Sequence, residues 1–263
     1  MDNIINKKYK ILNKIGSGTF GTIYKGQNIR TNEYVAIKIE KISDKLKLLK
    51  NETKIYQYLI GCKGIPNVKW FGKDEINYYM VINLLGYSLE ELKNKITNFS
   101  LSLVLKIGIK IILILMTIHE KGLVHRDIKP DNFLFEQSDY NNLYLIDFGL
   151  CKSYLLDNKH ISIKPTHNII GSVNYASIMA HRCFELSRRD DLESLCYMLF
   201  YFYIGNLPWS NDVEHNEIIR KKIEIINNAN YPIVLLDLLR YVRKLEYEEK
   251  PNYYLIIDIL KGK

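Results

Sequence analysis

The chain lacks the residue patterns that build a metal-stapled or disulfide-bonded protein. It has four cysteines, Cys62, Cys151, Cys183 and Cys196, and no two of them show CxxC spacing; no histidine pair completes a zinc site. Unpatterned cysteines argue against a secreted disulfide framework and fit a reducing compartment, and Cys196, inside an apolar run, reads as a small core residue. Six prolines and 14 glycines among 263 residues exclude the collagenous and low-complexity classes. The N-terminal stretch "MDNIINKKYKIL" has no apolar centre and no cleavage pattern, so no signal peptide is expected there. Long uncharged runs are scarce too. "IILILMTI", from Ile111 to Ile118, is too short to span a bilayer, and the run from Ser194 to Asn211, broken by Gly205 and Pro208, reads as a buried helix. No membrane span is expected.

Charge is not evenly balanced. Lys and Arg number 37 against 29 Asp and Glu, a net +8, which favours acidic partners. Lysines gather at Lys41, Lys45, Lys47, Lys50 and Lys54, and a second basic cluster is Arg220, Lys221 and Lys222. Neither cluster is interleaved with aromatic residues, so no nucleic acid is expected as a partner. Both read as solvated faces.

Hydrophobic periodicity changes along the chain. "YKILNKIGSG", "GTIYKGQNIR" and "EYVAIKIE" alternate apolar and polar residues, giving three strands around a glycine-rich turn. Leu46, Leu49, Ile55, Tyr58 and Leu59 have helical spacing between Asp44 and Leu59, and "NYYMVINLL" returns to a strand. After Gly86 helices take over. "SLEELKNK" opens with a capping box, Ser88 at the N-cap and Glu91 three residues on. "SLVLKIGIKIILILMTIHEKG" is a long helix stopped by Gly122. The remainder is mostly helical, with short strands around "NFLF" and "LYLIDF". The expected fold class is α+β. One domain covers residues 1–263, with a small antiparallel sheet and one main helix in 1–85 and a larger helical part in 86–263, joined through "NLLGYS".

Three stretches carry chemistry. "GSGTFG" spaces Gly16, Gly18 and Gly21 as G-x-G-x-x-G around Ser17, with Ile23 two residues on. Dinucleotide-binding folds use the same spacing, but there the glycines open a helix, and here the chain leaves as a strand. Such a turn lets the backbone approach a triphosphate and offer it N–H donors; a plain hairpin turn is the other reading. "VAIK" places Lys38 on the next strand. A lysine among apolar neighbours snorkels to water, unless a carboxylate holds it where it can bind α- and β-phosphates. Glu52, on the following helix, is the candidate partner; Glu33 and Glu40 are too near in sequence to reach across from a separate element.

The third stretch, "HRDIKPDNFL" at 125–134, sets dense charge directly after an apolar run, and "IDFG" follows with Asp147 twenty residues beyond Asp127. A solvated loop explains charge but not these residue types. Phosphoryl transfer needs positioning and charge neutralisation more than covalent help. Asp127 can accept the proton of an attacking hydroxyl, and Lys129 can neutralise the transferring phosphoryl group. Asn132 and Asp147 offer hard oxygen ligands for magnesium.

In order and spacing, the glycine loop, lysine, helix glutamate, charged loop and aspartate resemble the protein-kinase signature, and the likeness runs along nearly the whole chain. Lys129 is similar to the serine/threonine branch. "GIPNVKWFG", "LLGYSLEEL", "KPDNFL", "YASI" at Tyr175–Ile178, "SRRDDLESL" at Ser187–Leu195 and "LPW" at Leu207–Trp209 resemble the casein kinase 1 family. That resemblance implies a bilobal kinase fold and transfer of the ATP γ-phosphate, with Mg2+, to Ser/Thr hydroxyls in acidic or primed segments of protein substrates. It further implies a monomer in the cytoplasm or nucleus.

The same resemblance assigns residues. Ile82 would be the gatekeeper, where the family usually has methionine, and Asn83 to Leu85 the adenine hinge, with Leu85 its main contributor. Ala36 and Leu134 join Gly16, Ser17, Gly18, Gly21, Ile23 and Lys38 as nucleotide-binding residues. Ser172 would replace the usual threonine that links the substrate loop to Asp127 and Lys129, and Asp191 would anchor the catalytic-loop backbone. Activity should not require activation-loop phosphorylation, although Arg126 is present.

Three features depart from the family pattern. Asn174 stands where the family has an arginine that helps bind an anion near the substrate, which puts strict dependence on primed substrates in question. The segment after Trp209 is shorter, and Arg220, Lys221 and Lys222 are the candidates to compensate. The family's long regulatory tail is absent, so autoinhibition by a tail is not expected. The alternative function is a nucleotide-binding scaffold without turnover. Such proteins typically lose the lysine, the base or the metal aspartate, and Lys38, Asp127, Asn132 and Asp147 are all kept.

Overall fold

The computed structural model describes residues 3–18, 21–42, 48–96 and 99–262, which form two units. The first is a six-stranded antiparallel sheet in the order β1-β2-β3-β4-β6-β5. Its strands are β1 (Ile4–Ile5), β2 (Tyr9–Gly18), β3 (Gly21–Asn28), β4 (Tyr34–Lys41), β5 (Val68–Lys73) and β6 (Asn77–Asn83). Period-two alternation dictates what each face carries. Val35 and Ile37 of β4 join Tyr9, Tyr79 and Val81 in a buried cluster on one face. The other face carries Ala36 and Lys38, whose cross-strand partners are Ile82, Met80 and Ile23. One helix, α1 (Leu48–Tyr58), accompanies the sheet.

Helix α1 carries no acidic residue in its own first turn. Glu40 substitutes from β4: its Oε2 accepts the Leu49 N–H at 2.8 Å, placing a carboxylate at the positive end of the helix. The expected helix start at Asp44 and Leu46 lies outside the described residues, as do Lys45 and Lys47. Strand β5 was not expected; "VKWFGK" alternates poorly, and its pairing with β6 contains a register shift between Val68 and Trp70.

The first unit also takes in residues 134–149 from later in the chain. Most of a two-stranded hairpin, Phe133–Glu136 and Asp139–Leu145, belongs to this segment. Gly86 N–H donates to Phe135 O, Phe135 N–H to Tyr87 O and Leu145 N–H to Gly64 O. Backbone hydrogen bonding thus crosses the 85/86 boundary expected from composition.

The second unit is helical. It comprises α2 (Leu89–Lys95), α3 (Leu101–Glu120), α4 (Ile178–His181), α5 (Arg188–Ile204), α6 (His215–Glu224), α7 (Ile233–Lys244) and α8 (Tyr253–Leu260). The Ser88–Glu91 capping box is present in both directions. Helix α3 is longer than its apolar octet: Ser100 caps it at Leu103 N–H, and it ends before Gly122, at φ +77°. By length and composition it could cross a membrane, yet Val104, Ile107, Ile111, Leu115 and Ile118 are buried and it packs against α5 and α8. Each such side chain is worth about 1.5–3 kcal/mol when buried. The apolar run expected from Ser194 to Asn211 is helical only to Ile204, where Gly205 at φ +87° ends α5.

Candidate active site

Lys38 lies in the middle of β4, buried, with its Nζ 2.8 Å from Glu52 Oε2 and 3.0 Å from Asp147 Oδ1. Glu52 is 2 % exposed. Burial alone would lower the Lys38 ammonium, but the two carboxylates outweigh it and hold the group above its ordinary value. The sequence candidates Lys38, Glu52 and Asp147 therefore meet in one cluster, and Glu33 pairs instead with Lys69 at 2.8 Å.

Tyr56, one turn along α1 from Glu52, is a site residue that the sequence did not reveal. Its hydroxyl accepts the Asp147 N–H at 3.2 Å, and its ring meets Phe148 edge-on at 4.9 Å. Asp147 has φ +65°, a conformation uncommon outside glycine, and the strand within "LYLIDF" ends two residues earlier, at Leu145.

The glycines divide by role. A Cβ on Gly21, at φ +143°, would collide with the Ile39 carbonyl oxygen, so packing alone requires glycine there. Among the described residues a Cβ on Gly18 would meet nothing within 4 Å, and one on Gly16 only ordinary contact with Ile23. Packing against the described residues does not ask for glycine at those two positions, and a backbone without Cβ atoms there is open to close approach. Ser17 pairs with Thr22 between them, while Thr19 and Phe20 lie outside the described residues. Ile23, Ala36 and Ile82 share the sheet face of Lys38, a row of apolar side chains leading to a charged cluster. Met80 extends that row. Leu85 and Leu134 are both partly buried, beyond the end of β6 and within the hairpin respectively.

In the second unit Asp127 is surrounded by donors. Its Oδ1 accepts the Ser172 N–H at 2.9 Å and the Ser172 hydroxyl at 2.8 Å, and its Oδ2 lies 2.8 Å from Lys129 Nζ. Asn132 Nδ2 donates to Asp127 O at 2.8 Å and Oδ2 at 3.3 Å. Ser172 thus reaches Asp127 directly, and Lys129 only through that carboxylate. Gly171, at φ +92°, is needed for this approach: a Cβ there would stand 2.5 Å from Arg126 O.

Behind the loop, Asp191 of α5 accepts the His125 and Arg126 N–H groups, each at 2.8 Å. The His119 ring holds Asp191 Oδ2 at 2.9 Å and Tyr253 OH at 2.7 Å. Burial would raise the Asp191 carboxyl, but the His119 bond and the charges and amide beside it keep it below the usual carboxylate range. Arg126, at φ +69°, donates to Leu150 O at 2.7 Å and meets Glu185 at 3.3 Å; Lys152 reaches the other Glu185 oxygen at 2.6 Å.

A family model described as the protein kinase domain matches residues 9–255. The chain belongs to the protein kinase family. A protein kinase domain implies phosphoryl transfer to protein substrates; in the first unit Lys38, Glu52 and Asp147 form one charged cluster, and in the second Asp127 is held by its own set of donors. Asn132 engages Asp127 through its nitrogen, which leaves its amide oxygen outside that bond; an amide oxygen in the second unit and the Asp147 carboxylate in the first are each hard donors of the kind magnesium takes.

The basic cluster of the kinase is not three equivalent solvated cations. Arg220 is exposed and paired with Glu217 and Glu224, and Lys221 is paired with Asp212 at 2.9 Å. Lys222 is completely buried. None of the three stands as an unpaired surface cation beside Asn174. The Asn174 carbonyl instead accepts the Trp209 indole N–H at 2.8 Å, and an open groove beside it is lined by Glu90, Lys129, Asp131, Ser172 and Tyr175.

Proposed function

We propose that the chain is an active serine/threonine protein kinase of casein kinase 1 type. It transfers the ATP γ-phosphoryl group to Ser or Thr hydroxyls of protein substrates carrying acidic or primed segments. The observation that carries this reading is Asp127 held by Ser172, Lys129 and Asn132 at 2.8–3.3 Å. A carboxylate so oriented can take the proton of an incoming hydroxyl, while Lys129, characteristic of the serine/threonine branch, stands ready to stabilise charge on the phosphoryl group.

Bound ATP and magnesium supply the phosphoryl group and neutralise its charge. Lys38, braced by Glu52, would hold the α- and β-phosphates. Asn132 and Asp147 would hold the metal, and Gly16, Ser17, Gly18 and Gly21 with Ile23, Ala36, Ile82, Leu85 and Leu134 would bind the nucleotide. Net charge of +8 supports a taste for acidic segments. The pairing of Arg220 and Lys221 and the burial of Lys222 favour acidic segments over an absolute need for priming. Four free cysteines support residence inside the cell, and the proposed active species is a monomer.

The test is transfer from Mg-ATP to three peptides, unprimed neutral, acidic and phosphoserine-primed, with Asp147→Asn as the contamination control. Transfer by the wild type alone, strongest to the acidic peptide, is expected. ATP binding with no transfer to any peptide would instead mark a nucleotide-binding scaffold.

A further inference from the structure

Lys222 sits on α6 with no exposed surface, and its amine is surrounded by main-chain carbonyls and rings. Nζ lies 2.7 Å from Ala176 O, 3.0 Å from Val173 O and 3.0 Å from His181 Nε2. The rings of Tyr197 and Trp209 close over it, with centroids at 4.7 and 5.2 Å, placements that favour a cation. Taking a lysine wholly out of water without a contacting carboxylate is unfavourable, and an apolar side chain would fill the space more cheaply. What Lys222 adds is two hydrogen bonds to one short piece of backbone.

That piece is the segment beginning at Ser172, whose N–H and hydroxyl bind Asp127. Asp127 therefore holds the segment at Ser172, Lys222 at Val173 and Ala176, and Trp209 at Asn174. Ser172, Val173, Asn174 and Tyr175 of this segment line the groove with Lys129, Glu90 and Asp131. We propose that Lys222 is a positioning residue for the peptide substrate, fixing from inside the fold the Val173–Ala176 backbone against which the acceptor segment docks. The inference rests on the kinase reading above.

The groups facing Nζ are Glu193 and Tyr197 from α5, Arg243 from α7 and His181 from α4, with the His215 ring 5.9 Å from that of His181. Burial lowers Lys222 to about 7, against the attraction of Glu193 and with the repulsion of Arg243. His181 is lowered to about 4, by burial and then by Lys222. Below neutrality Lys222 grips both carbonyls as a cation; above it the neutral amine keeps weaker bonds.

The test uses the full chain, with Lys222→Met and Lys222→Arg beside wild type, a serine peptide without other titratable groups, and amide hydrogen exchange across 172–177. Lys222→Met is expected to raise KM for the peptide about tenfold, leave KM for ATP unchanged and accelerate exchange at 173–176, with Lys222→Arg restoring much of each. In wild type the peptide KM should climb between about pH 6 and 8.5 while that for ATP stays level, and Lys222→Arg should flatten the climb. Equal changes in both KM values, or unaltered exchange at 173–176, would overturn the proposal. Should Lys222→Met fail to fold, the wild-type pH series decides, and a level peptide KM overturns it. Wild type inactive on every peptide would remove the kinase reading, and exchange at 173–176 would still tell whether Lys222 tethers the segment.

Discussion

Arg126 rests against Glu185, 3.3 Å from its carboxylate, and Lys152 takes the second oxygen of the same group. A carboxylate of the protein, itself 2 % exposed, already neutralises the cation next to Asp127. Arg126 would otherwise be a receptor for a phosphate on the activation segment. Glu185→Gln should therefore lower kcat, with a stability loss of about 3 kcal/mol from the orphaned cations. Phosphatase treatment of wild type should leave its rate unchanged. A large drop in rate after dephosphorylation would mean that Glu185 does not replace the phosphate.

Ser172 contributes both an amide and a hydroxyl to Asp127. Removing the hydroxyl deletes a hydrogen bond to a charged group, worth about 1.5–3 kcal/mol. Ser172→Ala should reduce kcat by about ten- to a hundredfold, and Ser172→Thr should keep most of it. Single-turnover rates at saturating ATP measure the difference, and equal rates for Ala and Ser would remove Ser172 from the orientation of Asp127.

Asp191 links stability to pH. Its folded-state carboxyl lies below the ordinary value, so the stability it adds is present above the unfolded-state pKa of about 3.9 and is lost as pH falls through the lower folded value. Asp191→Asn can accept only one of the two loop amides with its single oxygen. Urea midpoints should show the variant destabilised by about 3 kcal/mol at neutral pH, with the gap narrowing in acid. A gap independent of pH would contradict the assignment.

Asn174 borders the groove that also contains Lys129. Asn174→Arg adds a cation there and should raise the primed-to-unprimed ratio of kcat/KM by about tenfold, the worth of one charge-assisted bond. The three-peptide assay reads this directly; an unmoved ratio would place phosphate recognition elsewhere.

Much of the candidate site was legible because kinase chemistry needs particular atoms at short, repeated spacings: Lys38 in a strand, Asp127, Lys129 and Asn132 in one loop, Asp147 two residues before a glycine. Glu52 could be chosen over Glu40 by asking which carboxylate comes from a separate element. Other partners carried no local signal. Neither Tyr56 nor Glu185 belongs to a motif that would single it out. Strand β5 was hidden by its irregular register.

The sequence by itself determined most of the order of strands and helices, the caps at Ser88 and Gly122, and the choice of candidate reacting groups, because these depend on neighbours a few residues apart. Tertiary structure decided which groups meet. Lys38 joins Asp147 across 109 residues, and His125 joins Asp191 across 66. It also decided that Lys222, alike in sequence to Lys221, leaves water to hold Ala176 across 46 residues. Burial of a charge is a property of everything packed around it, and no local pattern encodes that.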